Sequence, residues 1–191
     1  MDARPAIAPI PALPASTALP FEVRPSATGR GLFACEPIAS GTWLFTEDDW
    51  ADEEERNAFT VLSGQQIADL TPAMRATFTC YAYNIDHDQI SGTLHPEAVR
   101  HPVNFMNHSC DPNVGYRGAN SLVALVDIQP GQQLRMDYGT YSFSFDHEFA
   151  CSCGAPWCRG KVTRNDWPEL VRAGLRLPNF MRVKTAEALW G

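Results

Sequence analysis

Cysteines near the C-terminal end of the chain have the spacing of metal ligands. The segment CSCGAPWC at 151–158 places Cys151, Cys153 and Cys158 in a C-x-C-x4-C pattern. A closed structural zinc site needs four ligands, and Cys110 is the candidate for the fourth. The cysteines could instead be unrelated buried thiols, but their clustering at short spacing favours a metal. Four thiolates leave no open coordination position, so the predicted zinc is structural.

The loop around Cys110 is rich in polar groups. It reads Asn107-His108-Ser109-Cys110-Asp111-Pro112-Asn113. A hydroxyl and a thiol follow His108 directly, yet adjacency in sequence does not make a catalytic triad. Because Cys110 is assigned to zinc, no activated nucleophile is predicted.

Four landmarks occur in a fixed order along the chain. They are GRGLFA at 29–34, YAYNID at 81–86, NFMNHSC at 104–110, and the stretch from Pro130-Gly131 to Asp137-Tyr138-Gly139. With the cysteines, they resemble the SET-domain protein-lysine methyltransferases that carry a post-SET zinc motif, over residues 21 to 160. A lone G-x-G would be weak support because glycine pairs mark many turns, whereas the ordered set is specific.

The resemblance implies S-adenosylmethionine-dependent methylation of a protein lysine side chain, and it assigns roles to residues. Tyr138 matches the catalytic tyrosine. The implied cofactor contacts are Arg30, Gly31, Leu32, Tyr81, Asn107 and His108. The implied wall of the substrate channel comprises Met136, Tyr141, Phe143 and Trp157, with Phe145 nearby. In isolation, the glycines would be read as a hairpin turn and the aromatic residues as core packing.

Elementary chemistry supports several of these roles. Glycine lets the backbone approach a cofactor closely because it has no Cβ. The Asn107 amide offers both donor and acceptor groups to the cofactor's amino-acid end, while the His108 backbone is expected near its adenine.

Three positions depart from the family pattern. Asn104 stands where arginine or histidine is common, and Gln133 where an acidic residue is common. Met136 stands two residues before Tyr138, where phenylalanine or tyrosine often limits the number of methyl groups transferred. A flexible thioether cannot hold a water through a hydroxyl, so we predict a product beyond monomethyl-lysine. The alternative is that Met136 only fills a gap in the core.

Composition bounds the class of protein. The chain has 191 residues, a net charge of −7 and 45% hydrophobic residues, which suits one globular domain with appendages. The acidity argues against nucleic acid as a direct partner and favours a lysine-bearing protein, possibly a histone. An acidic block spans 47–55 and is predicted to be a solvated helix face, with a docking surface for a basic substrate as the alternative.

No stretch approaches the roughly 20 apolar residues that span a bilayer, so we expect a soluble, intracellular protein without membrane contact. Residues 1–20 are rich in proline and alanine and predict a flexible arm rather than a signal peptide. Cys35 and Cys80 sit in apolar sequence and are predicted to be buried thiols. Oligomeric state cannot be read.

The elements needed to position these residues are mostly strands. Short strands are predicted over 21–46, helical segments over 47–76 with a break near Ser63-Gly64, and Pro72 at the start of a helical turn. Strands are predicted again over 77–85, at Ile90, over 122–128 and over 134–138, and a helical cap over 167–191. The fold class is therefore mainly β with a helical insert.

The resemblance adds a SET-like fold with a pseudoknot and a C-terminal zinc lid. Its domain boundaries are 1–20 for the arm, 21–145 for the SET-like domain, 146–162 for the zinc motif and 163–191 for a cap of unknown role. Two rival functions remain open. One is a catalytically weak module that binds peptide or cofactor; the other is a purely structural zinc module.

Overall fold

The computed structural model describes residues 19–46, 49, 53–118, 120–181 and 186. The predicted arm (except residues 19 and 20), most of the acidic block before Glu53, and most of the cap beyond Met181 lie outside the described residues. Among the residues described, no helix has the length and apolar character required to cross a membrane.

Short strands dominate the described part of the chain. The strands are β1 (Phe21–Ser26), β2 (Gly29–Ala34), β3 (Trp43–Phe45), β4 (Phe59–Leu62), β5 (Tyr83–Asp86), β6 (Gln89–Thr93), β7 (Asn107–His108), β8 (Val114–Arg117), β9 (Ser121–Ala124), β10 (Gln133–Met136), β11 (Phe149–Ala150) and β12 (Lys161–Val162). The helices are α1 (Glu53–Ala58), α2 (Gly64–Asp69), α3 (Pro72–Thr79) and α4 (Trp167–Arg172). Single 3₁₀ turns lie at Pro96–Ala98, Pro102–Phe105, Tyr138–Thr140 and Asn179–Met181.

The strands form small sheets that meet around one core. One sheet has the order β1-β2-β10-β7, a second has β3-β9-β8, a third has β4-β6-β5, and β11 pairs with β12. Gly29, at φ +104°, opens β2 where the chain turns back from β1, a conformation that glycine adopts without strain. Fully buried Leu32, Ile128 and Leu134 anchor the core between the first two sheets.

The first sheet brings three predicted landmarks side by side. Strand β10 runs antiparallel to β2 and parallel to β7. The polar loop continues along β10, because the Asn113 amide N–H donates to the Arg135 carbonyl (3.2 Å) and its side chain donates to the Gln133 carbonyl (2.9 Å). The threading of a pseudoknot itself stays a prediction.

The predicted fold class, mainly β with a helical insert, is confirmed, and so is helix initiation at Pro72 after the N-cap Thr71. Two element predictions are wrong. Residues 59–62 form a strand rather than helix because they pair with β6, and residues 77–79 complete α3 rather than begin a strand. Phe78 is fully buried against Gly92, so tertiary packing overrides the β propensity of this aromatic segment.

Candidate active site and metal centre

Aromatic residues from several elements enclose a cavity of about 370 Å³. All five tyrosines of the chain line it: Tyr81, Tyr83, Tyr116, Tyr138 and Tyr141. The first two come from the helical insert, which here means residues 53–93 from α1 to β6; β8 supplies the third, and the segment after β10 supplies the last two. The insert also fixes that segment, because the Asn84 amide N–H donates to the Tyr141 carbonyl (3.0 Å).

Tyr138 stands in the turn that follows β10. Its hydroxyl donates to the Met106 carbonyl (2.9 Å), and its ring contacts the Tyr141 ring at a centroid distance of 5.2 Å. Burial raises the pKa of Tyr138 to about 12, although a hydrogen bond with Tyr141 opposes the shift. The phenol is therefore protonated at neutral pH and can donate or accept a hydrogen bond inside the cavity.

The structure brings only some of the predicted channel residues to this cavity. Met136 and Tyr141 line it. Phe143 does not; its ring packs against Phe180. The structure also places Trp157 elsewhere: it is 62% exposed, and its indole N–H donates to the Cys110 carbonyl (3.1 Å), which holds it beside the cysteines. Phe145 is buried in the separate core of the helical insert.

Several residues that line the cavity were not predicted from sequence, and His147, Pro178 and Phe180 lie beyond the last landmark. Burial lowers the pKa of His147, so it is neutral at pH 7. Phe180 meets the His87 ring edge-on at 5.6 Å, which places the C-terminal segment against the turn between β5 and β6. These residues follow the last landmark, and no short motif marks them.

The predicted cofactor residues other than Tyr81 lie outside that cavity. Four of them meet where β2 and β7 flank β10. The Asn107 side-chain amide donates to the Arg30 carbonyl (2.9 Å), and the Arg30 guanidinium stacks on the Phe105 ring at 4.0 Å. Gly31 is buried, and Leu32 has no exposed surface, because it belongs to the core between the first two sheets.

Gly31 has a packing role that the sequence did not reveal. A Cβ at this position would lie 2.1 Å from Gln133 Nε2 and 3.1 Å from Asn107 Nδ2. Gln133 Nε2 is buried and has no hydrogen-bond partner among the described residues. A buried donor without an acceptor is costly, so this atom beside Gly31 fits a ligand that supplies an acceptor there.

The four predicted zinc ligands come together. The Sγ atoms of Cys110, Cys151, Cys153 and Cys158 all lie within 4.8 Å of one another, and Cys110 and Cys151 are 3.9 Å apart. Zn–S bonds of about 2.3 Å in a tetrahedron require sulfurs about 3.8 Å apart, so the cluster fits one zinc ion. The β11–β12 pair supports it, since the Cys151 N–H donates to the Gly160 carbonyl (2.9 Å).

The thiols are electrostatically matched to a cation. Burial raises the pKa of the Cys153 thiol, but hydrogen bonds from the backbone of Ala155 and Cys110 and from the side chains of Cys151 and Cys158 together outweigh burial and lower the pKa to about 6. The neighbouring Cys151 has its pKa raised to about 12, by burial first and then by the adjacent sulfurs. Sulfurs this close cannot all ionise without a cation, which is the charge that zinc supplies.

His108 links the cluster to Tyr138. Its Nδ1 accepts the Tyr138 backbone N–H (3.2 Å), and its Nε2 lies 3.5 Å from Cys110 Sγ. Burial lowers the pKa of His108 to about 4, so the ring is neutral. Because Nδ1 accepts the Tyr138 N–H, the hydrogen-bond network assigns the ring proton to Nε2. This N–H points at the Cys110 sulfur.

Two other predictions are corrected by exposure. Cys35 and Cys80 are exposed rather than buried; Cys35 follows the end of β2, and Cys80 caps the end of α3.

Glu55, in the acidic block predicted to be a solvated helix face, does not face the solvent. It is 1% exposed, and its carboxylate accepts the His101 backbone N–H (2.8 Å) and the Asn104 side-chain amide (3.0 Å).

Comparison with known proteins identifies the family. Residues 29–139 match the SET domain, which is more than half of the 191-residue chain. The chain belongs to the SET-domain family. The match begins at the first glycine of GRGLFA and ends at the residue after Tyr138. It contains strands β2, β10 and β7 and four of the five tyrosines that line the cavity, but it stops before Tyr141 and the cysteine-rich segment.

Relatives of this SET domain carry methyltransferase names. Histone-lysine N-methyltransferase trithorax of Drosophila virilis is 30% identical over 140 residues, covering 69% of this chain and 3% of that protein. Human histone-lysine N-methyltransferase 2B is 34% identical over 88 residues, 42% of this chain and 3% of that protein. Arabidopsis thaliana SUVR5 is 28% identical over 158 residues, 73% of this chain and 11% of that protein.

The chain thus spans only a small part of these relatives' length. Among solved structures, KRYPTONITE in complex with mCHG DNA and SAH aligns with a TM-score of 0.46 and 24% identity, over 74% of this chain and 28% of that one.

Proposed function

We propose that this protein is an S-adenosylmethionine-dependent methyltransferase acting on a protein lysine side chain. The observation that carries the proposal is the cavity lined by all five tyrosines, with the protonated phenol of Tyr138 beside Met106 and Met136. Membership of the SET family supports it, because relatives of this domain are named histone-lysine N-methyltransferases.

The cavity suits a lysine that must react as a neutral amine. A free lysine has a pKa of about 10.4, so presenting the neutral amine near pH 7.4 costs about 4 kcal/mol. Aromatic, largely apolar walls disfavour the ammonium and lower that cost. Tyr138 and Tyr141 orient the amine nitrogen through their hydroxyls and need not act as bases. Catalysis would then rest on positioning, without a covalent intermediate.

S-Adenosylmethionine, when bound, supplies the methyl group on a positively charged sulfur. The residues proposed to hold it are Arg30, Gly31, Leu32, Tyr81, Asn107 and His108. The unpartnered Gln133 amide beside Gly31 fits an acceptor brought by a ligand. Tyr138 joins the two regions, because its ring faces the cavity while its backbone N–H binds the His108 ring.

Zinc is proposed as a structural ion held by Cys110, Cys151, Cys153 and Cys158. The corresponding organisation is a SET-like domain over 21–145, a zinc motif over 146–162 and a C-terminal segment from 163. The substrate is proposed to be a lysine-bearing protein, histone or non-histone, because relatives are named for histones and the acidic chain attracts basic peptides. Direct nucleic-acid binding is not proposed.

Cofactor binding tests this proposal against the purely structural zinc module. Zinc-loaded protein titrated with S-adenosylmethionine in a calorimeter is expected to bind one equivalent, and Asn107→Ala to weaken binding by about tenfold or more, as the loss of a well-placed hydrogen bond predicts. Asn57→Ala, on an exposed part of α1, is the matched control. No binding by zinc-loaded protein would contradict the proposal and favour the purely structural zinc module.

A further inference from the structure

We infer that Arg159 and Asp166, which lie beyond the SET match, are positioning residues for Tyr138; the inference rests on the proposed function only for its kinetic consequence. The two residues reach Tyr138 through Asp137, the residue before it in the chain. Neither of them lines the tyrosine cavity.

Asp137 is the residue of this connection that lies nearest to Tyr138 in the chain. Its side chain has no solvent exposure, and its carboxylate receives both arms of the Arg159 guanidinium, at 2.6 Å to Oδ2 and 2.7 Å to Oδ1. The same carboxylate accepts the Gly139 backbone N–H (3.0 Å) and so caps the turn that contains Tyr138. Parallel two-point contact fixes orientation as well as distance, which a lysine could not do.

Asp166 is the residue of this connection that lies farthest from Tyr138 in the chain. It occupies the N-cap position of α4, where an aspartate ordinarily accepts backbone N–H groups of the first turn, yet it makes no such bond. Its Oδ2 instead accepts Arg159 Nε (2.9 Å), and its Oδ1 accepts the Thr163 hydroxyl (2.6 Å). The carboxylate also accepts the Thr163 backbone N–H (3.2 Å), so it joins Arg159 to the segment before α4 rather than capping the helix.

Close packing makes the connection rigid. A Cβ at Gly139 would lie 2.8 Å from Leu170 Cδ1 and 3.1 Å from Asp166 Cβ, so α4 presses directly on the turn after Tyr138. The residues on either side of Tyr138 are thus both held by the C-terminal segment, Asp137 by Arg159 and Gly139 by α4. Arg159 also directly follows the proposed zinc ligand Cys158 in the chain. Zinc binding would therefore order the backbone that carries the guanidinium.

Three variants test the inference by kinetics. Arg159→Lys keeps the charge but loses the two-point contact, and Asp166→Asn keeps the shape but loses the charge. Both are expected to lower kcat by about tenfold to 100-fold while KM for the protein substrate changes little, because misplacement of the reacting geometry is the defect. Arg164→Ala, an exposed arginine in the same segment, is the control with unchanged kcat.

A spectroscopic readout keeps the test independent of activity. With tyrosine labelled with 13C at Cζ alone, the five tyrosines give one signal each, and Tyr138→Phe assigns one of them. The Tyr138 signal should move in Arg159→Lys and Asp166→Asn, because its ring sits against Tyr141 and His108, and should stay in Arg164→Ala. If a variant fails to fold, Thr163→Val, which removes one hydrogen bond to Asp166, replaces it.

An unmoved Tyr138 signal in folded, zinc-loaded variants would overturn the inference, as would a change in KM with kcat unaltered. A wild-type protein without methyl transfer would refute the proposed function, while the Tyr138 signal would still decide the positioning role.

Discussion

The sizes of the Gly31 and Met136 side chains determine how much room is left beside each residue. Gly31 leaves room for the Gln133 side-chain amide, because a Cβ at this position would lie 2.1 Å from Gln133 Nε2. Met136 is buried at the cavity wall, where a thioether leaves more room than a phenol.

The Gly31→Ala variant is expected to lose about 1 kcal/mol of unfolding free energy or more, because the new Cβ overpacks against Gln133. In a Gln133→Ala background the same change should cost measurably less. A double-mutant cycle by denaturant unfolding measures the coupling. Equal costs in the two backgrounds would show that Gln133 is not the obstacle.

Replacing Met136 with tyrosine should shift the product towards monomethyl-lysine, since the ring and hydroxyl narrow the cavity around the methylated nitrogen. Met136→Leu conserves volume and apolar character and should keep the wild-type distribution. Mass spectrometry of an intact peptide at saturating cofactor gives the distribution. Only monomethyl-lysine from the wild type, with Met136→Tyr behaving identically, would defeat the prediction.

At the scale of elements, α1 holds the chain segment that leads to the polar loop. The Glu55 carboxylate binds the backbone of His101 and the side chain of Asn104, and both residues line the cavity. Asn104 departs from the family pattern, and Glu55 supplies the acceptor that this amide needs.

Glu55→Ala should therefore destabilise the protein by about 1–3 kcal/mol, because it leaves buried donors without an acceptor. Glu53→Ala, on the exposed side of the same helix, should change stability by less than about 0.5 kcal/mol. Thermal unfolding of both variants makes the comparison. Equal melting temperatures would remove Glu55 from this role.

The elements that could be predicted from the sequence are those whose boundaries depend on a few neighbouring residues. Pro72 after Thr71 starts α3, and glycine at 29 turns β1 into β2, because a cap and a left-handed φ are properties of a few residues. Residues 59–62 were predicted as helix because their pattern fits both periods, and only pairing with β6, some thirty residues away, decides for a strand.

At the scale of the whole molecule, three segments far apart in sequence meet at Tyr138. The polar loop contacts Tyr138 directly through His108. The insert reaches the neighbouring Tyr141 through the Asn84 backbone N–H, and the C-terminal segment reaches Asp137 through Arg159. Cysteine spacing predicted the metal cluster, because ligand number and type are fixed by zinc chemistry. Phe180 and His147 could not be predicted, since their place in the cavity depends on tertiary packing alone.

Removing zinc should cost the protein both stability and activity. Structural zinc contributes on the order of 10 kcal/mol in small zinc domains, so chelation or Cys153→Ser should unfold the segment around β11 and β12. Cys35→Ser, which changes an exposed cysteine outside the cluster, should keep zinc and melting temperature. Metal content and thermal unfolding measure this. Full activity in zinc-free protein would contradict a structural role for the ion.

The proposed reaction transfers a methyl group to a protein lysine that Tyr138 helps to orient. The most direct measurement incubates zinc-loaded protein and Tyr138→Phe with isotopically heavy S-adenosylmethionine, core histones and cell lysate, and locates the label by mass spectrometry. The expected result is heavy methyl-lysine that disappears in the variant. No label with confirmed cofactor binding, or equal label with Tyr138→Phe, would contradict it; the first result would favour the catalytically weak binding module.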